Sequence, residues 1–263
     1  MTARRRVVEG SWYDFPHYYD VAMQDDTVEE AEFVEAAWKK FGRGRLSRIL
    51  EPGCGSGRLV RELAGRGFQV VGFDDNAKAL EYLQEQLHGG GLKAEIFAAD
   101  LRKFRVAELA DLACSLCNTF RHLLTPEAAL GHLRCVAKAL RPGGLYLLGL
   151  HIMPIDVDPE DSEIWTCKRD GLTVKTTLAV EKTFPRKRLE RLRVTMDVDA
   201  PEERLRIRST MMLRLWNKEE ITALLRQVRL LELVETCDFL YDANDPITLD
   251  EYSSDVIFVL RKS

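Results

Sequence analysis

Residues Ile49 to Ala64 (ILEPGCGSGRLVRELA) constrain the chain more than any other stretch. An apolar run starting at Leu46 stops at Glu51 and Pro52. Gly53, Gly55 and Gly57 follow within five residues, and then Leu59, Val60 and Leu63 recur at helical spacing. The pattern is a strand, a glycine turn and a helix. Glycines there accept positive φ and let a ligand approach a backbone without Cβ atoms. The helix start offers unsatisfied N–H groups. The spacing is G-x-G-x-G, which differs from the G-x-G-x-x-G of dinucleotide binders. Glu51, at the strand's carboxyl end, would repel a pyrophosphate and suits an ammonium group.

More strand–helix units follow. Strands are expected at Leu46–Glu51, Gln69–Phe73, Lys93–Ala98, Asp111–Cys117 and Gly144–Leu150. Helices are expected from Arg58, over Ala77–Leu87 and over Pro126–Leu140. Such alternation predicts an α/β fold with a doubly wound, mostly parallel sheet, whose ligands bind beyond the strands' carboxyl ends. The residues at those ends are Glu51, Asp74, Asp100, Asn118 and His151. Asp74 and Asp75 lie about twenty residues past the turn, where an acid can meet ribose hydroxyls. Asp100–Leu101 is where a carboxylate can meet an adenine amino group.

This ordered set resembles the class I S-adenosylmethionine-dependent methyltransferases. The resemblance covers Trp12 to Leu150 and, more loosely, the C-terminal strands. It implies S-adenosylmethionine as cofactor and a seven-stranded Rossmann-like sheet. It also implies a cofactor site made of Tyr19, Glu51, Gly53, Cys54, Gly55, Arg58, Asp74, Asp75, Asn76, Asp100, Leu101, Arg102, Cys117 and Asn118. Arg58 would pair with the cofactor carboxylate, and Arg102 would reach the adenine edge or the substrate. Solvated arginine is the plainer reading of both.

No catalytic triad is needed, because the sulfonium already carries its leaving group and the protein mainly aligns donor and acceptor. The stretch CNTFRHLLT is similar to one in amino-sugar N-methyltransferases and their relatives, with Asn118 and Thr119 in place of the commoner serines. His122 is the first candidate base, His151 the second and His17 the third. Tyr13, Tyr18 or Tyr19 would close over cofactor or substrate, or else staple the N-terminal segment to the core. His88 and His132 read as structural or exposed. No metal is expected.

The 263 residues divide into an N-terminal lid and helix (1–42), a core (43–152 and 216–263) and an antiparallel β insertion (153–215). Thr27 with Glu30 reads as a capping box for a helix to Phe41. Arg4, Arg5 and Arg6 read as a frayed start. The insertion strands are expected at Ile164–Lys168, Leu172–Glu181, Leu189–Val198 and Leu205–Leu215. Lys182 to Arg214 holds ten basic and five acidic residues. That suits a sheet with one solvated face, serving as a substrate cap or a homodimer surface. Asn217 caps a helix to Val228, and Leu230–Cys237 and Asp255–Leu260 are the closing strands. Glu235 to Asp255 carries seven acids and no base, which reads as an exposed loop.

A net charge of −4 disfavours nucleic acid as the main partner. No apolar run reaches the roughly 20 residues needed to span a bilayer, and the start lacks a signal-peptide h-region. Six cysteines in a chain this long suggest reduced thiols and a cytoplasmic location. Cys114 and Cys117, three apart on a strand, point to opposite faces and read as core residues. The functional expectation is methyl transfer to N or O of a small-molecule acceptor. The alternatives are an RNA or protein methyltransferase, a nicotinamide-dependent oxidoreductase, and a non-catalytic cofactor-binding scaffold.

Overall fold

The computed structural model describes residues 5–153 and 162–263. Its larger sheet has the strand order β11-β12-β6-β5-β2-β3-β4. The strands are β2 (Arg48–Pro52), β3 (Gln69–Asp74), β4 (Ala94–Ala98), β5 (Ala110–Ser115), β6 (Leu140–His151), β11 (Leu231–Cys237) and β12 (Asp255–Lys262). β4, β3, β2, β5 and β6 run parallel, and β12 is antiparallel to both neighbours. β5 is buried along its whole length, as befits a strand covered on both faces.

Alternation along the strands sorts the core into two layers. Ile49, Val70, Leu112 and Leu147 pack against α2 (Thr27–Phe41), α3 (Arg58–Gly65) and α4 (Ala77–Gly89). Leu50, Val71, Ala113 and Leu148 pack on the other face, against α5 (Pro126–Ala139) and α6 (Lys218–Arg226). The chain winds outward from β2 to β4, then returns to the far side of β2 as β5. The carboxyl ends of β2 and β5 therefore flank the crevice where the winding reverses.

The second sheet has the order β1-β10-β9-β8-β7. It comprises β7 (Ser162–Arg169), β8 (Leu172–Phe184), β9 (Leu189–Asp199), β10 (Arg204–Arg214) and, from the N-terminus, β1 (Arg6–Glu9). Apolar residues of its inner face (Val174, Val194, Met196, Ile207) pack with Trp12 and with Val21 and Ala22 of α1 (Pro16–Ala22). Arginines of its outer face pair across strands, Arg206 with Asp197, Arg204 with Asp199, and Arg191 with Glu181.

Three expectations change. Arg4 lies outside the described residues, and Arg5 and Arg6 do not fray: Arg5 bonds Asp199 at 2.6 Å, and Arg6 opens β1, paired in parallel with β10. Thr27 is the first residue of α2 and makes no cap, and Glu30 is drawn to Arg58 instead. Pro142–Gly144 lies within the span of β6, where a register shift opposite Ala110–Leu112 absorbs it. β1 belongs to the second sheet, whereas α2 buries Phe33, Val34 and Ala37 in the core. Among the described residues no helix is long and apolar enough to cross a membrane.

Candidate functional site

The glycine turn is pinned from beneath by the end of β3. The N–H groups of Gly53 and Cys54 both donate to the Phe73 carbonyl, at 2.8 and 3.0 Å, and Gly55 N–H donates to Asp74 Oδ2 at 2.8 Å. These bonds hold Gly53, Gly55 and Gly57 at φ of 69°, 54° and 72°, where L-residues are strained. Space excludes a side chain as well. A Cβ on Gly53 would lie 2.5 Å from Thr119 Cγ2, and one on Gly57 would run into Leu83.

Around this turn lie the acids expected from the sequence. Burial raises the Asp74 carboxyl, and the N–H groups of Asn76 and Gly55 partly oppose this. Asp75 is exposed beside it. Asn76 caps α4, accepting from Ala79 N–H at 3.1 Å. Asp100 pairs with Arg102, whose side chain points to that carboxylate and into solvent. Leu101 covers Gly53. The buried His132, 3.0 Å from the Leu101 carbonyl and 2.9 Å from the Tyr146 hydroxyl, holds Leu101 there.

Glu51 is the unusual member. Burial pushes its carboxyl up to about 8; Arg58 opposes the shift, and Glu30 and Asp74 add to it. Its Oε2 is buried without a hydrogen-bond partner. Native proteins rarely leave such an atom unpaired unless a ligand supplies the partner. An ammonium group fits it.

A cavity of about 730 Å³ opens beyond β5 and β6, between the core and the inner face of the second sheet. Tyr13, Tyr19, Arg58, Cys117, Asn118, His122 and His151 all line it. The Tyr13 hydroxyl is 2.9 Å from His122 Nε2. Burial, helped by Arg121, pushes the His122 imidazole down to about 4, so it is neutral at pH 7. On another wall His151 Nδ1 meets the Asp255 carboxylate. The ladder itself creates this pair, because His151 and Asp255 are register partners on β6 and β12. Burial raises the Asp255 carboxyl, but His151, with Ser254 and Arg121, more than offsets that and leaves it below its usual range. Asn118, in the left-handed region at φ 56°, accepts the His151 backbone N–H at 2.8 Å. Cys117 faces the cavity and Cys114 the opposite core layer, so only Cys114 is a core thiol. His17 is exposed on α1 and does not line the cavity, which removes it as a candidate.

Several lining groups were not expected. Glu30 comes from α2, and Phe239 and Tyr241 come from the loop between β11 and β12; Asp255 of the last strand stands behind His151. From the second sheet come Trp165, Leu178 and Met211. Two ion pairs cancel within the wall, Arg58 with Glu30 and Arg121 with Glu190. Asp25, Asp26 and Glu163 also line it and form no ion pair among the described residues.

Asp20 of α1 joins the two halves. It is fully buried and accepts from Arg61 at 2.5 Å, Tyr82 at 2.9 Å and Ser56 at 3.3 Å, all from the core. Arg169 of β7 donates at 2.7 Å to Oδ2, the oxygen that also accepts from Tyr82, while Arg61 and Ser56 meet Oδ1.

Known proteins fit this arrangement. Residues 49–144 match the family model described as a methyltransferase domain. The chain is 25% identical over 169 residues to a putative methyltransferase of Geobacillus sp. (strain WCH70), spanning 60% of this chain and 68% of that protein. The solved structure of an S-adenosylmethionine-dependent methyltransferase from Clostridium acetobutylicum ATCC 824 superposes with a TM-score of 0.77. It is 15% identical, and the match covers 95% of this chain and 98% of that one. An amino pentose methyltransferase of Micromonospora echinaspora, solved with S-adenosylmethionine bound, gives a TM-score of 0.70 at 19% identity, covering 95% and 96% of the two chains. Together these findings support a class I S-adenosylmethionine-dependent methyltransferase. S-adenosylmethionine is its cofactor, and the glycine turn with the unpaired Glu51 oxygen fits that molecule's amino-acid tail.

Proposed function

We propose that this enzyme methylates an amine nitrogen of a small, partly apolar acceptor bound between the core and the second sheet. The observation that carries the reading is the cavity's charge balance: its arginines are matched, and Asp25, Asp26 and Glu163 are left over. That wall attracts a cation and repels phosphate. The outward arginines of the second sheet are paired with acids, which also disfavours RNA. The apolar wall formed by Trp165, Leu178 and Met211 suits a hydrophobic acceptor body, and the unpartnered Trp216 Nε1–H offers it one hydrogen bond.

The bound cofactor supplies an electrophilic methyl on sulfur. An amine attacks only when neutral, and the methylated product sheds a proton. His151, steadied by Asp255, is the base we assign to that proton. The Tyr13–His122 pair instead holds the acceptor: the Tyr13 hydroxyl engages His122 Nε2, and burial opposes protonation of the imidazole. When bound, the cofactor would give its methyl to the acceptor nitrogen and leave as S-adenosylhomocysteine.

A second-sheet homodimer is also proposed, through the edge strand β7 with its exposed Ile164. Light scattering giving only a monomer would remove it. The functional reading is tested with a panel of amines, phenols, RNA and protein, following S-adenosylhomocysteine release. Turnover with apolar amines supports it. Turnover confined to RNA, protein or phenols overturns it.

A further inference from the structure

The β9 and β10 side chains that face the cavity are apolar except for Glu190. Leu192 of β9 and Met211 and Leu213 of β10 stand beside it, with Leu213 its register partner. A carboxylate in such a row must find a partner. Arg121 supplies it: its Nη2 donates to Glu190 Oε1, and its Nε donates to the Arg214 carbonyl of β10 at 3.0 Å. The two side chains are 8% and 12% exposed. A second link runs the other way. Arg214 Nη1 donates to the Leu124 carbonyl at 3.2 Å, and its guanidinium lies 4.4 Å from the Trp216 ring centroid.

Arg121 belongs to a 3₁₀ turn, Thr119–His122, that follows β5. Three residues per turn send consecutive side chains about 120° apart. Phe120, Arg121 and His122 therefore leave the turn in three directions. Phe120 is buried in the core, its ring centroid 5.7 Å from that of His132 and 5.9 Å from that of Trp216. Arg121 goes to the second sheet. His122 goes to the Tyr13 hydroxyl, which is also 3.7 Å from Met211 Sδ on β10. Fixing the first two directions fixes the third. We propose that Arg121 and Glu190 are a positioning pair, which clamps this turn to the second sheet so that the sheet sets where the Tyr13–His122 pair stands. Its consequence for turnover rests on the reading that Tyr13 and His122 hold the acceptor; the clamp itself does not.

Desolvation cancels most of the attraction within a buried ion pair, so the pair adds little stability over an apolar one. What it adds is direction. Nε and Nη2 of one planar guanidinium reach a β10 carbonyl and a β9 carboxylate, which fixes both the rotation of the turn and its distance from the sheet. Glu190→Gln keeps an acceptor oxygen for Nη2 and should keep that geometry. Arg121→Met combined with Glu190→Met removes both charges, strands neither and keeps the volume filled, so this variant should fold. It lacks the directional bonds.

The test reads position and binding separately. With tyrosine and histidine rings labelled, the nuclear Overhauser contact between Tyr13 and His122 is followed by NMR; five histidines keep that spectrum sparse. KM is measured with the amine that the wild type methylates fastest. The double variant should lose the contact and raise KM about 10- to 100-fold, the scale of an ångström's misplacement, with a smaller change in kcat. Glu190→Gln should keep the contact and a KM close to wild type. Unchanged S-adenosylhomocysteine affinity in both reports an intact core. A double variant that keeps the Tyr13–His122 contact would overturn the clamp, whatever its KM. A lost contact with wild-type KM would support the clamp and overturn instead the assignment of Tyr13 and His122 to the acceptor.

Discussion

The two halves of this enzyme are built on opposite principles. The cofactor half is specified by buried polar groups: a glycine turn held by Phe73 and Asp74, a Glu51 carboxyl with an unpartnered oxygen, and a Glu30 carboxylate bonded to Arg58. The acceptor half is specified mainly by shape, with an apolar inner face from the second sheet and a rim of acids, Asp25, Asp26 and Glu163. A constant ligand permits buried polar groups, because the ligand always supplies their missing partners. A wall of apolar side chains can be resized without leaving a charge unpaired. The difference teaches that cofactor choice and acceptor choice are separable in this chain.

The largest effect expected from breaking that separation is on turnover. Substituting His151 by Ala should lower kcat about 10²- to 10⁴-fold, the usual worth of a positioned base. S-adenosylhomocysteine affinity should stay unchanged. Asp255→Asn should follow in the same direction, because it removes the carboxylate facing Nδ1. His122→Ala should act mainly on KM. Steady-state kinetics with calorimetry distinguishes these, and equal kcat losses at both histidines would undo the division of roles.

Next in size is Asp20→Ala, which strands two arginines around a vacated buried position. A loss of about 3 kcal/mol is expected from breaking a buried pair, at the lower end because both arginines are partly exposed. Urea unfolding measures it. A loss under about 1 kcal/mol would mean that Asp20 does not hold the halves together.

A smaller effect is expected from acid. Burial pushes both His122 and His132 down to about 4. Between about 6.5 and 4 the unfolded chain binds protons that the folded one refuses, so their contribution is present above about 6.5 and fades as pH falls. Melting temperature measured down to about pH 4 should drop less in His132→Gln than in wild type. The smallest effect is that of reductant. The cysteines are free, so dithiothreitol should leave the melting temperature unchanged.

The core was legible because its signals are local and periodic. The run before Glu51, the three glycines and the helical spacing after them lie within sixteen residues, and strand alternation fixes which face each residue serves. The second sheet was legible in outline for the same reason. What escaped depends on tertiary pairing. β1 is a four-residue strand whose partner lies about two hundred residues away. The Thr27–Glu30 spacing is that of a capping box, yet a buried guanidinium outcompeted the helix end for the carboxylate. Asp255 stood at the start of an expected strand, but only the β6–β12 register sets it against His151. Phe239 and Tyr241 sit in an acidic loop whose composition hides two inward-facing rings.

The most direct test of separable halves is Leu178→Trp, which fills the cavity from the second sheet and touches nothing at the glycine turn. S-adenosylhomocysteine titration and turnover with the best amine would be measured on the same preparation. The account predicts wild-type affinity for S-adenosylhomocysteine and turnover reduced to background. Lost S-adenosylhomocysteine binding, or turnover that survives, would contradict it.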